Sequence, residues 1–565
     1  MRRILRVNMS ERTAVLESVP AQYSTLGGRA LTSSIVASEV QPTCAPLGKR
    51  NKLVVAPGFL AGTLAPCSGR LSVGGKSPLT GTIKESNVGG TVAPKLARLG
   101  IAAVVVEGVP VGEHWTVLRI TREGGALEEV PGLGGLGNYD ACRLLRERHG
   151  KQVAVMSIGQ AGEMRLPGAS VAVTDLDGLP SRHAGRGGMG ALMGAKGLKA
   201  IVVDDSGTQR VRAAAQEDFK STARQFAEAL RQGTGFLEQL RLWGTSGGIP
   251  NFNAFGTFPT KNFSAGSFEH VDKITGQSIV ELSKSRGGGL HGCTPTCPIR
   301  CAISFHGADG NYLVSGMEYE TVGMLGSNLL IDDADAIAEM NLLLNDYGLD
   351  TIETGAALGV VMESGRLEFG DKAGALALIR EVARGSVGGR MIGSGCVTTG
   401  KLLGVKRVPA VKGQGIPAHV PQSNKIVGVT YCTSPMGADH TAGIMYDDTI
   451  HSPEGKVEKS RTMQILMAFV DSLGLCMFSR ACPDFASHAA RLMAAFLGTQ
   501  YSEADLDLLG RRVLNTEHRF NRGAGFTSAH DRLPEFMTEV KIPPHDLLFD
   551  VPDDELDRLR ESLAI

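Results

Sequence analysis

Short β-branched runs, each closed by glycine or proline, occupy the first third of the chain, at residues 4–7, 53–56, 103–107, 115–120, 153–157, 170–173 and 200–203. Runs of that length between turn residues predict strands. Beyond residue 207 apolar positions return every three or four residues. This predicts helices over 213–232, 333–346, 354–364, 373–384, 461–473, 484–497 and 504–518. Asp332 and Ser502 stand before two of them as N-caps. Prolines 409, 417 and 421 mark a boundary within 406–421 between two helical regions. No internal repeat is visible. Strands first and helices after predict an α+β fold: a β-rich domain over 1–205, then helical domains over 206–411 and 412–565.

Glycine is the compositional excess, at 73 of 565 residues. Residues 51–200 hold 28 of them and residues 417–565 only 9, so the excess belongs to the strand region. There it implies tight turns or a main chain that closes on something. Lysine plus arginine and aspartate plus glutamate both number 58, and aromatics are 5%. That balance offers no nucleic acid an electrostatic surface or a stacking platform. The N-terminal Met-Arg-Arg is followed by no apolar core of a signal peptide, and no apolar run is long enough to span a membrane. A cytoplasmic protein is expected, with its ten cysteines reduced.

Three of those cysteines crowd into nine residues, Cys293, Cys297 and Cys301, with two prolines between them. The spacing suits an iron–sulfur cluster whose fourth ligand comes from elsewhere. A zinc site completed by His291 or His306, or reduced core thiols, are the alternatives. A radical-SAM pattern fails because position 300 is Arg300. Residues 62–90 set Arg70 and Lys76 among glycines and hydroxyls, as phosphate cradles do and as hairpin turns also do. Residues 185–190 contain a formal G-x-G-x-x-G with Asp204 about twenty residues on, a weak dinucleotide signature because no predicted strand precedes it.

A long series of segments in order makes the chain resemble the aldehyde:ferredoxin oxidoreductases, tungsten–pterin enzymes, along nearly its whole length. The series runs Leu26-Gly-Gly-Arg29, Ser68-Gly-Arg70, Lys76-Ser-Pro-Leu-Thr-Gly81, Ser86-Asn87-Val-Gly-Gly90 and Ala184-Gly-Arg-Gly-Gly188. The cysteine loop follows, then Glu318-Tyr-Glu320-Thr, Gly348-Leu-Asp350, Ser434-Pro-Met-Gly-Ala-Asp-His440 and Asp471-Ser-Leu-Gly-Leu-Cys476. The resemblance implies a β domain cradling two molybdopterins around one tungsten (or molybdenum), with helical domains behind it. It implies that Cys293, Cys297, Cys301 and Cys476 hold a [4Fe–4S] cluster, with Arg70 between cluster and pterin. Pterin contacts fall at Lys76, Asn87, Gly89, Arg182, Ala184, Gly185, Arg186, Asn345, Asp350, Asp471 and Met477. Glu320 and His440 match the acid–base pair beside the metal, with Glu318 close in sequence.

The activity so implied is oxidation of an aldehyde to the acid with water as oxygen source. Two electrons would leave through the cluster to ferredoxin or an Fe–S partner subunit, in a homo- or hetero-oligomer. An NAD-dependent dehydrogenase using residues 185–190 and a zinc-stabilised binding protein are the alternatives. Three departures stand out. The first cysteine gap is three residues where two is common, Asn345 replaces an aspartate, and no aromatic, arginine-rich tail follows residue 557. The last implies altered substrate access or assembly.

Overall fold

A computed structural model describes residues 2–110, 112, 114–561 and 563. Its first part is two six-stranded sheets laid face to face. The first holds β1 Arg3–Asn8, β2 Thr13–Ser18, β3 Leu53–Pro57, β4 Leu71–Lys76, β5 Ile83–Val88 and β6 Ile101–Glu107, in the order β2-β1-β6-β3-β4-β5. The second holds β7 Thr116–Thr121, β8 Gly124–Glu129, β9 Ala154–Ser157, β10 Val171–Val173, β11 Arg182–Ala184 and β12 Leu198–Val203, in the order β11-β10-β9-β12-β7-β8.

The alternation within single strands builds the layers. Leu53 and Val55 of β3, with Ile201 and Val203 of β12, point into the core shared by both sheets. Val54 and Ala56 face outward beneath the helix Gly28–Glu39. Ala200 and Val202 face outward beneath the helix Asn138–His149. The inner strands thus bury both faces, which explains runs such as β6 that are apolar almost throughout.

The absence of a repeat, expected from the sequence, is corrected here. Every strand of the first sheet has a counterpart six strands on. β1 and β6 pair parallel, as do β7 and β12, while every other pairing in both sheets is antiparallel. The helices recur as well: Gly28–Glu39 matches Asn138–His149, and Val92–Arg98 matches Met189–Ala195. The duplication is one of topology, carried by different side chains.

That topology also removes the dinucleotide fold. A three-residue strand, β11, does precede Gly185, contrary to the sequence expectation. It is an edge strand, however, and the alternating pairings β11-β10-β9-β12 make it antiparallel to β12, so strand, helix and strand form no parallel βαβ unit. The glycines of the short helix answer to packing, since a Cβ on Gly190 would fall 2.2 Å from the Ser170 carbonyl oxygen.

After residue 205 the chain is mainly helical, and the expected helices appear with shifted ends, for instance Ala334–Tyr347, Lys456–Leu473 and Glu503–Gly523. Ser502 caps the last of these in a reciprocal capping box with Asp505. Asp332 is not a cap. Asp333 is, accepting from Asp335 and Ala336 N–H, while Asp332 pairs with Lys273. A small antiparallel sheet, β13 Gly289–His291, β14 Ala302–His306 and β15 Tyr312–Ser315, was unforeseen, and residues 292–301 are the loop between its first two strands. Among the described residues no helix is long and apolar enough to cross a membrane.

Candidate active site

Both sheets point one end at a cavity of about 1150 Å³ that the helical region closes. On the first sheet, Arg70 Nε donates to Asn87 Oδ1 at 2.6 Å, and Asn87 Nδ2 donates to Glu85 Oε1 at 3.3 Å. Strand alternation puts Glu85 and Asn87 on the same face. Burial raises the Glu85 carboxyl, and burial together with Glu85 raises Asp471 well above the usual range, against the pull of Arg29. Asp471 itself lies behind the wall, 3.4 Å from Arg29, which Glu517 holds from the other side. Gly89 sits where a Cβ would lie 3.3 Å from both Arg70 Nη1 and Cys293 Sγ.

The second sheet offers the counterpart. Arg182 on β11 pairs with Glu318 at 3.3 Å, and Glu318 also accepts from Thr245 Oγ1 at 2.7 Å. Arg186 donates to the carbonyls of Ala438 and Gly415 and pairs with Asp350 at 3.4 Å. Asp350 caps the helix Thr351–Glu363, taking Ile352 and Glu353 N–H. Gly185, Asn345 and Met477 line the cavity too. Three of the expected residues, Asp471, Lys76 and Ala184, do not reach it. Lys76 is drawn to the carbonyls of Pro42 and Cys44, and Ala184 packs into the core between the sheets.

Two corresponding segments dock the helical region on the sheets. Residues 471–476 bind beside β3 and β4, where Phe59 and Leu60 N–H donate to Ser472 and Leu473 carbonyls at 3.0 Å. Residues 345–350 bind beside the second sheet, where Ser170 N–H donates to Gly348 at 2.8 Å and Asp350 N–H to Gly168 at 3.1 Å. Both approaches require glycine. A Cβ on Gly58 would lie 2.0 Å from Gly474 Cα, and one on Gly159 2.3 Å from the Tyr347 carbonyl carbon.

Four thiols gather at the mouth of the first segment. Cys293, Cys301 and Cys476 line the cavity, and Cys297 lies behind, next to Cys293. The neighbouring Cys297 and then burial push Cys293 well up, burial does the same to Cys301, and burial raises Cys476. Arg70 is the buried cation facing Cys476 and Cys293. Clustered thiols that burial keeps protonated, set against one cation, form a donor set for an anionic metal–sulfur group. Among the described residues no three His, Cys, Asp or Glu side chains close on one point as a single zinc ion requires.

The acid–base groups stand across the cavity. Glu320 lies in the first turn of the helix Tyr319–Leu325. Its Oε2 accepts from Ala418 N–H at 2.6 Å, while Oε1 lies 3.1 Å from His419 Nε2 and 3.7 Å from His440 Nδ1. Burial works against the charged form, but the two histidines and the Ala418 amide outweigh it and hold Glu320 below the usual carboxylate range. Burial lowers His419, against the pull of Glu320. The Tyr446 hydroxyl lies 2.6 Å from His419 Nδ1 and 3.2 Å from Thr257 Oγ1. His440 Nδ1 and Arg182 Nη2 are buried with no hydrogen bond among the described residues. Such unmatched donors fit a large, acceptor-rich group in the space before them.

Sequence reasoning missed His419, Glu85 and Asp439. His419 sits in the proline-marked segment, whose residues 414–422 are buried. Asp439, tied to Lys84, caps the turn that carries His440; its lowered pKa reflects Lys84 and Arg186 overcoming burial.

Family comparison agrees with this arrangement. The model described as "Aldehyde ferredoxin oxidoreductase, N-terminal domain" matches residues 4–205, and "Aldehyde ferredoxin oxidoreductase, domains 2 & 3" matches 221–562. The chain belongs to the aldehyde ferredoxin oxidoreductase family. A tungsten-containing aldehyde ferredoxin oxidoreductase of Pyrococcus horikoshii is 32% identical over 96% of this chain and 92% of that protein. An aliphatic sulfonate oxidoreductase, WOR-like subunit, of Pyrococcus furiosus is 25% identical over 80% of this chain and 74% of its own length. The active-site complex BamBC of benzoyl coenzyme A reductase shares the fold, with a TM-score of 0.81 at 17% identity over 99% of this chain and 93% of that one. As a member of the aldehyde ferredoxin oxidoreductase family the chain is an oxidoreductase.

Proposed function

We propose that this oxidoreductase converts an aldehyde and water to a carboxylic acid, releasing two protons and two electrons, and passes the electrons through its four-cysteine site to ferredoxin or an Fe–S partner subunit. The supporting observation is that the Glu320–His440–His419 group and the Cys293–Cys476 thiols wall one cavity, with Arg70 beside the thiols. The donor sets fit a bis-molybdopterin tungsten (or molybdenum) centre, held by Arg70, Asn87, Gly89 and Met477 on one side and by Arg182, Gly185, Arg186, Asn345 and Asp350 on the other. They fit a [4Fe–4S] cluster on Cys293, Cys297, Cys301 and Cys476. When bound, the metal–pterin group supplies a Lewis acid and a two-electron acceptor, and the cluster a one-electron relay.

The chain's own groups do the rest. Glu320, ionised and buried, takes the proton of the attacking water or of the aldehyde hydrate. His440 turns its unmatched nitrogen toward the carbonyl oxygen, where a hydrogen bond strengthens as negative charge develops. His419 holds Glu320 in place and leads by way of Tyr446 and Thr257 away from the cavity. Arg182 and Arg186 offer charged donors to phosphate oxygens.

The test is anaerobic purification, metal and pterin analysis, and a panel of aldehydes with a viologen acceptor. About one tungsten or molybdenum per chain and aldehyde-dependent dye reduction are expected. A preparation free of both metal and pterin overturns the proposal.

A further inference from the structure

Cys67 is a buried thiol that the mechanism leaves unused. It lies in the glycine-rich turn before β4, 1% exposed, with φ 59°, a left-handed conformation that a cysteine rarely adopts. Two hydrogen bonds fix it there. Its N–H donates to the Thr296 carbonyl at 3.0 Å, one residue before Cys297, and its own carbonyl accepts from Cys476 N–H at 2.9 Å. The turn is therefore tied to both segments that carry the four thiols. Its side chain faces Cys297, and it shares one apolar cluster with Cys297, Cys301 and Cys476. Of the cysteines outside the four, Cys482 also belongs to that cluster but meets the Pro483 carbonyl, and Cys142 meets Ser157. Five thiols converge where a cubane cluster takes four.

Resting on the reading that these cysteines hold a [4Fe–4S] cluster, we propose that Cys67 is a fifth ligand-competent thiol of that site and can take the place of Cys297 on the same iron. In the exchange one Fe–S bond forms at Cys67 and one breaks at Cys297. The Cys67 proton passes to the departing Cys297 sulfur beside it. No electron changes hands and the charge of the site is unchanged.

The experiment uses the full chain, purified and reconstituted anaerobically with iron and sulfide. Iron and sulfide are counted, and the dithionite-reduced protein is examined by electron paramagnetic resonance. The wild type, Cys67→Ala, Cys297→Ala and the double variant are compared, with circular dichroism to confirm folding. Cys297→Ala is expected to keep roughly four irons per chain with changed g values, and the double variant to fall to three or fewer. Equal iron loss in Cys297→Ala and the double variant overturns the proposal. A wild type that takes up no iron overturns instead the cluster reading beneath it. Should Cys297→Ala fail to fold, Cys67→Ser decides: altered g values or midpoint potential are expected, and neither changing rejects Cys67 as part of the site.

Discussion

In the proposed reaction Glu320 carries the acid–base chemistry, and its neighbours decide when it can act. Glu320→Gln keeps the side-chain volume and an oxygen for the Ala418 amide, so the fold, metal and iron content should persist. Turnover with a saturating aldehyde should fall ~10²–10⁴-fold, the usual contribution of a positioned general base. His419 acts through Glu320. It lowers the carboxyl's affinity for protons, so His419→Phe should raise the Glu320 pKa and move the acidic limb of the kcat profile to higher pH. A variant that loses rate without moving that limb would show a packing role only. Glu320 and His440 were legible because each lies within a short matched segment. His419 was not, since its partners lie 99 and 27 positions away in sequence and meet only when the chain folds.

At the level of elements, alternation and 3.6-residue spacing exposed seven strands and seven of the longer helices because burial there follows the apolar pattern. They failed on β5, where Lys84, Glu85, Ser86 and Asn87 form a polar strand that is nonetheless largely buried. Its polar side chains serve the cavity, so it reads as a turn. They failed again on the duplication, since hydrogen-bonded order leaves no mark on residue identity. The two docking segments give this level its prediction. Gly159→Ala drives a methyl into the Tyr347 carbonyl, an overpacking against backbone that should cost ~1–3 kcal/mol or more and lower the thermal midpoint. Gly289→Ala, where a Cβ meets nothing within 4 Å and φ is unstrained, should stay within about 0.5 kcal/mol of wild type. Equal midpoints for the two variants would mean that the second segment does not dock as described.

For the whole molecule, acid is the exposed flank. Three histidines are folded in as neutral groups. Burial lowers His183 to about 4, burial lowers His419, and burial joined by Arg560, Lys412 and Arg522 lowers His518 well below its usual value. His518 also has no hydrogen bond on either ring nitrogen. In the unfolded chain each would titrate near 6.5. Above that value both states are neutral and the histidines leave stability unchanged. As pH falls below 6.5 the unfolded chain binds protons that the folded one refuses, so stability drops until the folded pKa is reached. For His183 the drop ends near pH 4 and amounts to at most ~3 kcal/mol. The thermal midpoint should therefore fall between pH 7 and pH 5, and unfolding at pH 5 should take up protons from the buffer. His518→Gln, which cannot charge, should flatten that dependence, and a variant as acid-sensitive as the wild type would assign the loss to other groups.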